Sequence, residues 1–336
     1  MASLRLYIVR RILLSIPMLL ILLSVVFLIM RVAGDPVSAI LGGHAPPGEI
    51  ERLREQLGLN KPLYVQYLDY VIGLLHLDFG RSMIWGERPV LEEIFEHFPA
   101  TLELSVYAFT FSVLFGIFTG VFSAKRQNKP ADHLTRLYGI ITYSIFIPWL
   151  GLILQLIFGV YLGWLPIGAR ADPLMAPQTL TGLYTIDSII TLNIPSLINS
   201  IKHLILPTIT LGIYLSGIFT RLTRTHMIEV MQKDFIRAAR ARGLPERTVV
   251  YKHALKNAFI PILTMMGLQF AMLLVGAVLT ETTFSWPGMG YFLYERISLR
   301  DFTTVQGTIV FLAVLIVLVS LVVDIIYVYI DPRIRY

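Results

Sequence analysis

The chain has 336 residues, 55% of them apolar and only 15% charged, with a net charge of +6. A mean hydropathy of +0.69 excludes an ordinary soluble domain and a disordered polyelectrolyte alike. The absence of cysteine excludes a disulfide framework and thiolate chemistry.

A bilayer core of roughly 30 Å is crossed by about 20 apolar residues rising 1.5 Å each. Six stretches meet or approach that length without a charged side chain: Ile12–Met30, Leu104–Ala124, Leu137–Ala169, Leu204–Thr220, Asn257–Thr280 and Phe302–Val323. The pattern predicts an all-α integral membrane protein of about six transmembrane helices. The first stretch follows Arg5, Arg10 and Arg11 in the manner of a signal peptide. Its apolar run is long, however, and Arg31-Val32-Ala33 is a poor cleavage site, so residues 1–31 read as an uncleaved first span. The third stretch is expected to end its helix near Gly163, ahead of Pro166, and Leu204–Thr220 is the shortest.

Residues 32–99 form a segment too long for a simple connection. Glu49–Leu57 reads as a short helix stopped by Gly58, and Leu63–Leu77 as a second amphipathic one, together an external cap over the bundle. Residues 100–336 hold the remaining five spans. Gly163–His203 reads as an irregular loop.

Lys and Arg concentrate at the N-terminus, at Lys125–Arg136, in Arg221–Lys256 and at Arg333-Ile334-Arg335. With six spans all four regions fall on one side, which places both termini in the cytoplasm of a multi-pass cell-membrane protein. The nine Lys and Arg of Arg221–Lys256 could meet anionic lipid, nucleic acid or a partner protein.

Within that basic loop, 221–257, Asp234–Arg242 reads as a short helix with Arg240 and Arg242 in its last turn and Gly243 in the position of a helix-ending glycine. Pro245 suits the first turn of a second helix, Pro245–Ala258, that runs into span five. Ala239 and Gly243 share a face with Phe235 and Arg242, so small residues there let another surface approach. A DNA-reading helix-turn-helix is argued against by the two spans that tether the loop and keep it from a major groove. No Lys follows a Gly, so the chain has no phosphate loop of the GK[ST] type. Nor does it carry a His-Glu-x-x-His or Gly-x-Ser-x-Gly motif; no catalytic residue, metal ligand or cofactor is expected in this chain.

Arg237-Ala238-Ala239-Arg240-Ala241-Arg242-Gly243-Leu244, followed after Gly243 by nine residues and His253-Ala254-Leu255, resembles the EAA loop of permease subunits of binding-protein-dependent ABC importers. Arg237 stands where the family pattern has Glu, His253 where it has Ile, and Lys256 where it has Pro, departures that resemble the dipeptide, oligopeptide and nickel subfamily, its B-type subunits above all. Gly34-Asp35-Pro36, Gln56–Leu63, Thr280–Gly290 and Asp331-Pro332-Arg333-Ile334 agree with the likeness in order along the chain.

The resemblance implies a type I importer bundle and a second permease subunit. It also implies two cytoplasmic ATPases that bind the loop through Phe235, Arg237, Ala238, Ala239, Arg242, Gly243 and Leu244, and an external substrate-binding protein. It further implies an external gate beside the path, built from Glu281, Trp286, Pro287, Gly288 and Gly290. Glu103 and Glu281 read as interfacial carboxylates, and Trp149, Trp164 and Trp286 as belt or packing residues. Asp324, deep in the last apolar run, requires a partner or an interface. An ion-coupled secondary transporter is the alternative, but it calls for more intramembrane carboxylates than Asp324.

Because the chain lacks cysteine, topology is open to single-site labelling. Glu55→Cys and Leu180→Cys should react with an impermeant thiol reagent from outside, whereas Asn128→Cys and Glu246→Cys should not. Labelling at position 246 from outside would invert the topology.

Overall fold

The computed structural model describes residues 4–33, 37, 47–56, 58–84 and 88–330. Gly34-Asp35-Pro36, Leu57 and the closing Asp331–Ile334 stretch lie outside them. The described chain is helical: α1 (Leu4–Ala33), α2 (Pro47–Gln56), α3 (Leu63–Leu75), α4 (Val90–Lys125), α5 (Pro130–Ser144) and α6 (Ile147–Leu154, prolonged by π-helical turns over Gln155–Tyr161). Then follow α7 (Tyr184–Ile190), α8 (Ile194–Met231) and α9 (Asp234–Ala241). The next helix, α10, begins at Glu246–Thr248, passes through a π stretch at Val249–Ala254 and continues as Leu255–Gly276. The chain closes with α11 (Val278–Thr283), α12 (Met289–Ser298) and α13 (Phe302–Ile330). Among the described residues five helices are long and apolar enough to cross a membrane, and α5 with α6, bent by 103°, brings the number to six when the pair is counted as one broken span.

The break corrects the expectation of one helix running to Gly163. Pro148 is the cause. In a continuous helix its ring would meet the carbonyl of Ser144, four residues back. The chain instead turns extended at Ile145 and Phe146, and Pro148 falls in the first turn of α6, where no N–H is needed. A second correction concerns Leu204–Thr220, the shortest apolar run, which is the middle of the 38-residue α8. Asn193 caps that helix by accepting from Ser196 N at 3.1 Å, and Pro195 occupies its first turn. At its far end α8 continues through Arg221 and Arg224 to Met231, which shortens the basic loop. Likewise α4 begins at Val90, so the last part of the expected cap belongs to a span.

Helices α4 and α8 form the central pair. Gly116 and Gly120 are one turn apart on α4, and a Cβ at Gly120 would come within 2.6 Å of Thr223 Cβ and 2.8 Å of Thr220 O. On the other side of the seam a Cβ at Gly212 would meet the Phe111 ring at 2.5 Å. Small residues thus bring the two backbones together, and Thr119 and Thr220 join them by a 2.7 Å hydroxyl contact. Helix α5 packs on α8, while α10 packs on α13, α8 and α4. Helix α1 sits outermost on α13. Helix α3 meets α1 through Tyr67 and Tyr70, whose rings lie 5.5 and 5.8 Å from Phe27.

Asp324 finds its partner across this outer seam: Arg11 Nε lies 2.7 Å from its Oδ2. The pairing offsets the cost of holding a carboxylate within an apolar span. In a double-mutant cycle measured by denaturation in detergent, Arg11→Met and Asp324→Asn should couple by about 1 kcal/mol. Arg11→Met, which strands the carboxylate, should be the costlier single change. Strictly additive effects would show that the two side chains do not interact.

Candidate functional site

Two built regions stand at opposite ends of the bundle. At the end that carries the basic segments, α9 lies across the ends of the spans. Its C-terminus closes with a 5→2 bond from Gly243 N to Arg240 O, 2.9 Å, and a 6→1 bond from Leu244 N to Ala239 O, 3.4 Å. Gly243 adopts φ +76°, the left-handed conformation that this closure requires. A pair from Arg240 to Glu246, at 2.8 Å, clamps the turn from outside.

Helix α9 has two unlike faces. Ile236 and Ala239, three apart, are buried in an apolar cluster with Val121, Ala124, Met227, Val230, Val249 and Val250. Phe235, Arg237, Ala238, Arg242, Gly243 and Leu244 are exposed. The expectation that Ala239 presents itself to another protein is therefore corrected. Its methyl faces the chain's own core, since the apolar position Ile236 sets the inward face and carries Ala239 with it. The outward face is Phe235, Ala238 and Arg242, spaced at i, i+3 and i+7.

At the opposite end the motif 281–290 is fixed in place. Glu281 is fully buried and accepts hydrogen bonds from Thr101 Oγ1 (2.6 Å), Gly290 N (2.7 Å) and Tyr291 N (3.0 Å). Trp286 is 1% exposed and donates through Nε1 to Ala100 O at 2.9 Å, which removes it from any aromatic belt. A Cβ at Gly288 would come within 2.5 Å of Thr101 Oγ1, and one at Gly290 within 2.5 Å of Val278 Cα, so both glycines are required by close approach. Pro287 remains exposed. The segment is thus bonded to α4 at Ala100 and Thr101.

Glu103, one turn above, is buried as well. It accepts from Arg170 Nε (2.9 Å), Thr185 N (2.8 Å) and Thr185 Oγ1 (2.7 Å). Arg170 also lies 3.9 Å from the Tyr184 ring centroid and 5.9 Å from that of Trp286. Neither Glu103 nor Glu281 is an interfacial carboxylate. Sequence reasoning missed Arg170, Thr185 and the pairing of the buried Asp132 with Arg224 (2.6 Å). The available signal was a lone arginine in an otherwise base-poor loop opposite an acid that begins an apolar span.

Comparison with known proteins places this geometry. Residues 113–336 match the family described as binding-protein-dependent transport system inner membrane component, and residues 4–105 match the corresponding N-terminal family. The dipeptide transport system permease protein DppB of Alkalihalophilus pseudofirmus is 44% identical over 331 residues, 98% of this chain and 99% of that protein. The di/tripeptide permease protein DppB of Pseudomonas aeruginosa is 44% identical over 98% of each chain. The glutathione transport system permease protein GsiC of Salmonella typhimurium is 38% identical over 98% of this chain and 99% of its own. A chain of the MetNI methionine ABC transporter, solved in inward-facing conformations, shares the fold at TM-score 0.53 and 15% identity, covering 72% of this chain and 97% of that one.

Burial pushes the Glu281 carboxyl above its ordinary value of 4.5. The raised folded-state value means that its contribution to stability is full below the ordinary value and is lost as pH rises through the raised one. The stability difference between wild type and Glu281→Gln should therefore shift in favour of the variant as pH rises through that window. A difference independent of pH would show that Glu281 holds no excess affinity for protons.

Proposed function

The chain belongs to the inner-membrane component family of binding-protein-dependent transport systems, and on that premise we propose that it forms half of a peptide-import path with a second permease chain. The cargo is a di- or oligopeptide delivered by an external binding protein. The near full-length likeness to permeases named for dipeptides, di/tripeptides and glutathione supports the cargo class, since each of those names denotes a short peptide. The basic end of the bundle faces the cytoplasm, in keeping with the positive-inside rule.

The observation that carries the coupling role is the division of α9 into two faces. Its inner face is packed on α4, α8 and α10 through one apolar cluster, and its outer face offers Phe235, Ala238 and Arg242 to a soluble partner. An aromatic anchor beside a small residue and a guanidinium suits insertion into a groove. We assign that groove to a separate ATPase subunit, one for each permease chain. Closure of the ATPases on nucleotide would then push three spans at once.

The two faces give distinct expectations. Ala238→Asp places an unpaired carboxylate in the contact, and its desolvation should cost several kcal/mol. It should abolish co-purification of the ATPase and peptide uptake while leaving the unfolding midpoint of the permease unchanged. Ala239→Asp should lower that midpoint too, because the charge enters the chain's own core. Normal ATPase binding and uptake in Ala238→Asp would remove the coupling role from α9.

A further inference from the structure

The broken span marks a second place of interest. Backbone that leaves helical geometry at membrane depth is tolerated only where protein covers it or where it lines a watery cavity. Tyr143, Ser144 and Phe146, around the 103° bend, are nevertheless exposed in this chain. Such a face suits a partner chain or a watery path and not lipid tails.

Immediately beside the bend, between α5 and α8, lies a cleft of about 320 Å³ whose walls include Arg136, Tyr143, Ser144, Thr220, Arg221 and Arg224. Arg224 is neutralised by the buried Asp132, with Nε to Oδ1 at 2.6 Å and Nη2 to Oδ2 at 2.8 Å. Arg136 bonds the imidazole of His133 at 2.7 Å. Arg221 lies over the Tyr143 ring, 5.7 Å from its centroid, and is exposed. Among the described residues no carboxylate lies in ion-pair range of Arg136 or Arg221. The cleft thus carries two guanidiniums without a carboxylate partner, with the exposed Tyr143 and Ser144 beside them.

Along α8, Arg221 is seven residues, about 10 Å, beyond Tyr214, which stacks on Tyr143 at 6.4 Å. The order is an aromatic pair at the bend and then fixed positive charge on the cytoplasmic side.

We propose that this cleft is a carboxylate subsite of the path, in which Arg221, supported by Arg136, receives the free C-terminal carboxylate of the peptide in transit. The inference rests on the peptide-import reading. A guanidinium supplies paired N–H donors that match a carboxylate, and the apolar helix walls strengthen the attraction. The hydroxyls accept and donate around the main chain of the peptide without demanding a particular side chain.

The test uses the complete transporter, both permease chains with ATPases and binding protein, in proteoliposomes. The probe is a dipeptide with a benzophenone side chain and a free C-terminal carboxylate. After irradiation during turnover, wild type should yield adducts at Tyr143 or Ser144, located by peptide mass mapping. Arg221→Gln should lower adduct yield and uptake at least about tenfold, the factor expected for one lost charge-assisted bond. Arg221→Lys should retain most of both, and Arg136→Gln should fall between them. Unaltered ATPase co-purification in each variant separates this effect from misassembly.

Full uptake and adduct yield in Arg221→Gln would overturn the proposal. So would a wild type that imports the probe without labelling the cleft, or mass spectra in which Arg221→Gln loses only a bound anionic phospholipid. A wild type that imports no peptide at all would instead count against the peptide-import reading.

Discussion

A carboxylate withdrawn from water must be met by donors, and this bundle withdraws several. Glu103, Glu281, Asp132 and Asp301 are each at most 4% exposed, and the donors they require come from segments far apart in the chain. Glu103 gathers Arg170 and Thr185. Asp132 gathers Ser123 and Arg224. Asp301 accepts from Ser82 Oγ and from Thr304 Oγ1, each at 2.7 Å, and so ties the cap segment to the first turn of α13. Glu281 takes two backbone N–H groups and a hydroxyl, which dictates the path of the chain from 281 to 291. Lipid offers no competing hydrogen bonds, so these charge clusters fix which elements neighbour which, and apolar packing then fills the space between.

The result is a body with unequal ends. At one end, buried polar bonds hold α4, α7, α11 and the Trp286 turn as a single piece. At the other, α9 is held by side-chain packing alone on its inner face, where Ile236 and Ala239 meet residues of α4, α8 and α10. Between them runs the α4–α8 seam, closed by Gly116 and Gly120, in which close-packed backbones resist bending. A displacement applied to α9 is therefore passed along whole helices. The bend at 144–147 divides the chain between α5 and α6 into two helical segments.

The class of the fold was plain in the sequence because apolar run length alone reports a membrane crossing. The turn at Gly243 was equally plain, since few residues other than glycine accept φ of +76°. Where the reading failed, two signals competed. Pro148 sits inside an apolar run and Pro166 at its end, so Pro166 is the more visible stop, although a proline constrains the carbonyl four residues before it. Leu204–Thr220 looked short because α8 continues past the apolar stretch into Ser196, Asn199 and His203 at one end and Arg224 at the other. Ser196, Asn199 and His203 are buried against neighbouring chain and Arg224 is paired with the buried Asp132, properties that composition does not carry. Glu281 and Trp286 were visible as a motif. That they are buried and bonded to Thr101 and Ala100 depends on contacts nearly two hundred positions away.

The ion pair between Arg11 and Asp324 joins α1 with α13, two described helices separated by every other crossing. During synthesis α1 enters the bilayer with its arginine unmatched, free to reach the headgroup phosphates near its end of the span. Every intervening crossing must be laid down before the carboxylate arrives. Until then the outermost helix has α3 as its neighbour, and its seat on α13 is completed only when that helix inserts. A chain truncated before α13 would leave α1 held by α3 alone, through Phe27, Tyr67 and Tyr70.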